Sequence, residues 1–299
     1  MYILRSLLVL PFALAFTLGS TAQTTLKDGT TLVWDKEITA IDDSLPYESM
    51  HAPAYKVPVY EATTSQVNKL LPTLLPGASF KRQGRMMKAT GVTFPPASSA
   101  PVDILANVTR NKKQGNSTVS LAFLHSGTTT PVENPALQSA VRDIGVRLNK
   151  AIVQQQVDKW TKELGKADSK HTRAAKSHDK AQKKLAKTRN QLAKSTQEKV
   201  ELQNEHAVLQ KEVDLYNQKW NISHDPKDLK RVNKARSRIT KNGTKLSKVI
   251  AREAKAQREL DKSSSNIPGV QQEQDAKAAA HVDMQRTVDA LKRKLESIR

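Results

Sequence analysis

A stripe of seam residues from Val153 to Trp220 constrains this chain more than any other feature. One seam position holds Val157, Leu164, His171, His178, Leu185, Leu192, Lys199, His206, Val213 and Trp220. The companion position holds Val153, Trp160, Ala167, Ala174, Ala181, Thr188, Ser195, Leu202, Leu209 and Tyr216. This alternating 3–4 spacing, with Lys, Gln and Glu on the other faces, is the pattern of a coiled-coil seam. A helix over that span measures roughly 100 Å at about 1.5 Å per residue and cannot bury its own stripe. It requires a partner helix.

The partner is read from the remainder of the chain. Asp225-Pro226 combines a capping side chain with a proline at the first helical position. A second seam series follows through Val232, Ala235, Ile239, Asn242, Leu246, Val249, Glu253, Ala256 and Leu260, and a third through His281, Met284, Val288, Leu291, Leu295 and Ile298. The outgoing arm, Val153 to Trp220, has 68 residues and the return, Asp228 to Ile298, has 71. The window Leu229 to Arg252 carries nine Lys/Arg and no acid, while Thr196 to Gln218 carries Glu198, Glu201, Glu205, Glu212 and Asp214. Opposite charges flanking the seam favour an antiparallel hairpin over a parallel self-dimer. The expectation is a long antiparallel coiled-coil hairpin over residues 151–299, with its tip at 221–226 and a return arm kinked near Pro268. A three-helix bundle, reversing at Ser263 to Gly269, is the alternative.

Upstream, the periodicity changes. Tyr55 to Glu61, Ser79 to Gln83, Lys88 to Phe94, Val102 to Thr109 and Ser117 to Leu124 read as strands, and Thr30 to Asp35 has strand composition. Residues between Asp35 and Ala54 read as loop, because Asp42, Asp43, Ser44, Pro46 and Pro53 are turn formers. Thr63 and Gln66 form a capping box ahead of Val67, Leu70, Leu71, Leu74 and Leu75. Asn134-Pro135 starts a helix whose apolar side is Leu137, Val141, Ile144, Val146, Leu148 and Ile152. The fold class expected is α+β: a small antiparallel sheet with one or two packed helices, followed by the hairpin. The divisions are 1–22, a signal peptide; 23–54, a strand and loop segment; 55–150, the α+β domain; and 151–299, the helices.

Arg5, the apolar run Ser6 to Gly19 and the small residues Ser20-Thr21-Ala22 predict a secretory signal peptide, cleaved between Ala22 and Gln23. An uncleaved membrane anchor is the other reading. No other apolar run approaches membrane-spanning length. The expected location is periplasmic or secreted. The absence of cysteine excludes disulfides and thiol chemistry.

The run Val102-Asp103-Ile104-Leu105-Ala106-Asn107-Val108, then Ser120-Leu121-Ala122-Phe123, then the helix leading into a Lys/Glu-rich coiled coil, resembles a group of uncharacterised secreted or periplasmic proteins of Bacteroidetes-type bacteria. The resemblance covers roughly Tyr55 to Arg299. It implies an envelope location and a small α+β domain followed by a helical hairpin. It carries no activity and no site residues.

Two residue sets invite a functional reading. The chain has a formal net charge of +20, and Ala151 to Arg299 holds 34 Lys/Arg against 19 Asp/Glu. Lys230, Arg231, Lys234, Arg236, Arg238 and Lys241 form the candidate surface for an anionic envelope polymer or lipid head group. Aromatics make up 4% of the chain, which disfavours base stacking and a specific nucleic-acid partner. His171, His178 and His206 share one seam position and His281 lies on the return seam, so protonation would place charge in the seam. Seven-residue spacing is too wide for two histidines of one helix to share a metal. No catalytic motif and no cofactor motif appears. The reading is an exported, non-enzymatic protein acting as a structural, interaction or assembly arm, with an unknown protein partner and a possible oligomer. The alternatives are a periplasmic holdase-type chaperone and a binder of anionic polymers through the basic helices.

Overall fold

The computed structural model describes residues 25–26, 29–111 and 115–299. The expected cleavage site at Ala22 and Gln23 lies outside the described residues. The elements are β1 (Ile41–Tyr47), β2 (Met50–Val59), α1 (Thr64–Leu74), β3 (Lys81–Gln83), β4 (Met86–Val92), β5 (Val102–Asn111), β6 (Asn116–His125), α2 (Ala136–Ser223) and α3 (Pro226–Ser297). The protein is α+β. It divides into two compact units, one holding the chain up to Thr161 with Arg286–Arg299, the other Lys162–Gln285.

In the first unit six strands form one antiparallel sheet in the order β1-β2-β6-β5-β4-β3. One face is apolar by alternation: Val57 and Val59, Val119, Leu121 and Phe123, and Ile104 and Ala106 are all buried. Val67 and Leu71 of α1 and Leu137, Val141, Ile144, Leu148 and Ile152 of α2 join the same core. Ile298, at the end of the chain, completes it. The Thr63–Gln66 capping box is present, with the Gln66 amide 3.3 Å from the Thr63 hydroxyl. Asn134 accepts from the Ala136 amide at 2.9 Å and so caps α2.

The first strand pair departs from expectation. β1 and the start of β2 occupy the stretch whose composition reads as loop, while Thr30 to Asp35 makes only an isolated bridge, Thr25 to Thr31. β1 is an edge strand, and Asp42, Asp43 and Pro46 are the residues that keep an edge from pairing further. Trp34 serves packing, meeting the edge of Tyr60 at 5.6 Å.

Two polar contacts fix the helices of this unit. Asn149, almost fully buried, accepts from the Tyr60 amide and donates to the Pro58 and Gly145 carbonyls. Lys294 of α3 has a fully buried side chain whose ammonium lies 2.8 Å from Glu61, 2.8 Å from the Thr31 carbonyl and 3.4 Å from Gln156.

In the second unit α2 and α3 lie side by side and antiparallel, as their side-chain contacts show. Lys184 pairs with Glu259, Glu198 with Arg252, Lys199 with Glu253, and Glu212 with Arg238. α2 extends through Ser223, so only His224 and Asp225 connect the helices, rather than a turn beginning at Asn221. His224 takes the left-handed conformation that ends a helix, and Asp225 accepts from the Lys227 amide at 2.8 Å. α3 runs without interruption through Pro268 and Gly269, so the chain does not reverse at Ser263 to Gly269. The rigid φ of proline costs about 3 kcal/mol inside a helix, which a long paired helix absorbs over its many other bonds.

Two predictions follow from these contacts. A Cβ at Gly145 would overlap the Cγ2 methyl of buried Val57 and sit 3.2 Å from Ile38, whereas a Cβ at Gly165 meets nothing. Gly145→Ala is expected to destabilise by about 1–3 kcal/mol through overpacking, while Gly165→Ala stabilises by up to about 1 kcal/mol. Denaturant titration of both variants checks the opposite signs. For the buried ion pair, the two partners differ in exposure: Lys294 is 0% and Glu61 20% exposed. Glu61→Gln strands a buried ammonium and is expected to cost about 3 kcal/mol or more, with Lys294→Met costing less because water reaches the carboxylate left behind. Equal losses in chemical unfolding would contradict that asymmetry.

Candidate functional site

The helix-free face of the sheet is concave. Tyr47 on β1 and Lys88 on β4 are separated by three strands, a path of roughly 19 Å at about 4.8 Å per strand. Their side chains nevertheless meet, the Lys88 ammonium donating to the Tyr47 hydroxyl at 2.7 Å. Ser120 on β6 reaches across β2 to Asp43 on β1 at 2.6 Å. The sheet therefore curls, and its two ends differ. At one end Leu45, Tyr47, Ala52, Ala54, Leu105, Ala122 and Leu124 form a small second core. At the other, a groove of about 1220 Å³ is lined by Lys56, Asn107, Thr109, Thr118 and Ser120 together with the apolar Ile41, Leu45 and Pro58.

Asp103 closes the apolar end. It is almost fully buried and accepts from the Gly91 amide at 3.0 Å, the Ser126 hydroxyl at 3.0 Å and the Lys88 ammonium at 3.1 Å. Gly91, at φ 66°, sits in the register shift between Ala89 and Val92 that turns its amide inward. Burial pushes the Asp103 carboxyl up, but the Gly91, Lys88 and Ser126 bonds together outweigh it and hold the group below its ordinary value. The hydrogen bond to Tyr47 raises Lys88, against burial and with help from Asp103. From sequence alone Asp103 has no evident partner; its partners come from β4 and the loop after β6, which no local pattern announces. His51 and His125 of this unit are both exposed.

In the second unit the seam histidines fall into two places. His171 and His281 stack with ring centroids 5.7 Å apart, and Asp168 lies 3.7 Å from the His281 ring nitrogen. His206 sits 3.2 Å from Asn242, which donates to Glu205 at 2.8 Å. His178 contacts Gln182 of its own helix at 3.3 Å. Among the described residues no group of three or more His, Asp or Glu could hold a metal ion.

The basic candidates are arranged less openly than the sequence suggests. Arg231 pairs with Asp228, Arg238 with Glu212, and Arg236 reaches Asn217. Lys230, Lys234 and Lys241 are exposed on the same helix. A second basic cluster, apart from the Lys230–Lys241 surface, is brought together by the helix pair. Lys184, Lys187, Gln191, Lys194 and Glu198 of α2 and Arg252, Lys255 and Glu259 of α3 line a notch of about 690 Å³, with Thr188, Ser195 and Ala256 at its base. The signal is present in the sequence as a lysine stripe beside a run of small seam residues.

No described helix is long and apolar enough to cross a membrane. Comparison with protein-family models finds no match, and comparison with curated proteins finds no similar chain.

The Asp103 cluster predicts a pH dependence with a definite sign. A carboxyl held below its unfolded pKa of about 3.9 contributes stability above that pH and loses it as pH falls through the folded value. Lys88 acts oppositely: its contribution is present below about pH 10.4 and is lost as pH rises through its raised value. The stability gap between the parent chain and Asp103→Asn is therefore expected to be constant from about pH 6 to 8 and to shrink below about pH 4. Thermal melts of both proteins across that range provide the measurement.

Proposed function

We propose that this chain is an exported, non-enzymatic envelope protein whose paired helices form a coiled-coil hairpin serving as an interaction or assembly arm. The matched charge across the helix pair is the observation that supports it most. Acids of α2 stand against bases of α3 at Glu198–Arg252 and Glu212–Arg238, with the polarity reversed at Lys199–Glu253. Matched flanking charges favour intramolecular pairing over association with a second copy in parallel. The buried Asn242, bonded to Glu205 and facing His206, adds a polar layer of the kind that fixes register. The N-terminal leader expected from Arg5 to Ala22 supports export, as does the resemblance to secreted Bacteroidetes-type proteins.

A second reading has one observation in its favour. Val208, Leu215 and Ile222 repeat every seven residues on the outer side of α2 and are exposed, Ile222 to 85%. A holdase-type chaperone requires exposed apolar helix faces of this kind.

One experiment separates the two. The chain has no cysteine, so Val213→Cys with Ala235→Cys, both seam positions, gives a single possible internal disulfide, and any other crosslink joins two chains. Oxidation is expected to yield a monomer with an internal disulfide, and light scattering a single chain. The parent chain is expected not to slow aggregation of an unfolded client. Intermolecular crosslinks would refute the hairpin; suppression of aggregation would move the chaperone reading ahead.

A further inference from the structure

The complementarity of the helix pair fails at one place. At either end of the notch an ion pair closes the seam: Lys184–Glu259 on one side, Arg252–Glu198 on the other. Between them stand Lys187, Lys194 and Lys255, all exposed and none ion-paired among the described residues. Lys187 and Lys194 are two turns apart on one face of α2, and the antiparallel register sets Lys255 of α3 between them. Three like charges thus face one space across the seam. Such facing charges cost stability in a helix pair.

The seam beneath them is also unusual. Thr188 and Ser195 are buried there, beside the small Ala256, where Leu209, Val213 and Val249 fill the seam elsewhere. Small side chains leave the concavity that the lysines overhang. Its volume of about 690 Å³ lies in the range of small-ligand sites.

We propose that this notch is a binding site for a phosphate-bearing polyanion. The side chains define the class. Lysine offers a compact, rotatable charge suited to phosphate, whereas planar carboxylates are best met by a free guanidinium fork. The one guanidinium at the notch, Arg252, already holds both oxygens of Glu198, at 3.2 and 3.4 Å. The Gln191 amide and the Ser195 hydroxyl supply neutral donors on the same lining. The site lies apart from the Lys230–Lys241 surface, where Arg231 and Arg238 are engaged by acids. It does not depend on the arm reading.

The phosphate can be free or carried on a lipid, and two probes distinguish these sources. Tripolyphosphate is titrated calorimetrically into the full chain at low salt; flotation is measured with phosphatidylcholine vesicles containing phosphatidic acid. Saturable binding to at least one probe is expected, and which one identifies the source. The variant Lys187→Gln, Lys194→Gln, Lys255→Gln is expected to bind roughly tenfold more weakly. Lys230→Gln, Lys234→Gln, Lys241→Gln removes the same charge elsewhere and is expected to change binding by less than about twofold. Without any anion at low salt, the notch variant is expected to melt at a higher temperature than the parent, because the facing repulsion is gone. Equal weakening in both variants would reduce the effect to diffuse charge and overturn the proposal, as would absence of saturable binding to both probes. A notch variant that melts lower than the parent would remove the electrostatic conflict on which the site rests.

Discussion

The helix pair depends on a seam too thin to hold by apolar burial alone. Across residues 167–199 of α2 the seam is built from Ala, Thr, Ser, His and Lys, relieved only by Leu185 and Leu192. Burying a methyl or a hydroxymethyl gains far less than burying a leucine, at roughly 25 cal/mol per Å² of apolar surface. Polar groups must therefore decide the register. Near the turn the balance differs: Leu209 and Val213 are buried on α2, and Val232 and Ala235 on α3. The same unit thus contains a firm end and a soft stretch, and local opening is expected to concentrate in the soft one.

The first unit solves a related difficulty by curling its sheet. A six-stranded sheet with helices on one face leaves a second face to water, and its ends carry unpaired edges. Here the curl brings Tyr47 to Lys88 and Asp43 to Ser120, so the exposed face buries a small core of its own. The charged pair Lys88–Asp103 would be costly in that setting were it not fully bonded, and the Gly91 bulge supplies one of the bonds. Lys294 repeats the pattern on the helical side, where a buried ammonium is tolerated because Glu61, Thr31 and Gln156 all accept from it.

Much of this architecture is legible in the sequence, and the rest is hidden for definite reasons. Helical periodicity, the Thr63 capping box, Asn134-Pro135 and Asp225-Pro226 are local signals, and the helices they announce are present. The register of equal arms places His281 near residue 167, within about a turn of His171, and the structure stacks the two rings. β1 escapes because an edge strand is written in the vocabulary of a loop. α3 runs on through Pro268, as the single-hairpin expectation requires and the three-helix alternative does not, because one local breaker is offset by the many other bonds of a long helix. The partners of Asp103 and Lys294 are distant in sequence, 233 residues in the case of Lys294 and Glu61, and no spacing rule reaches that far. The lysine notch is an intermediate case: its residues are visible as a charged stripe, but only the antiparallel register shows that Lys255 faces Lys187 and Lys194.

That distinction bears on how charge is read in basic helical proteins. A run of lysines on a solvated face repels weakly, since water and salt screen charges separated by more than about 8 Å at physiological ionic strength. Net charge alone therefore says little about a binding surface. What separates the notch from the Lys230–Lys241 stretch is the pairing of the residues around each. Acids answer Arg231 and Arg238, whereas the ion pairs at the notch lie at its two ends and leave the middle unanswered. Where a helix pair matches charge along its length and then ceases to do so above a floor of small residues, the mismatch is a cost that a bound anion would remove. The thin seam and the unmatched lysines are then two aspects of one feature, since larger seam residues would fill the space an anion needs.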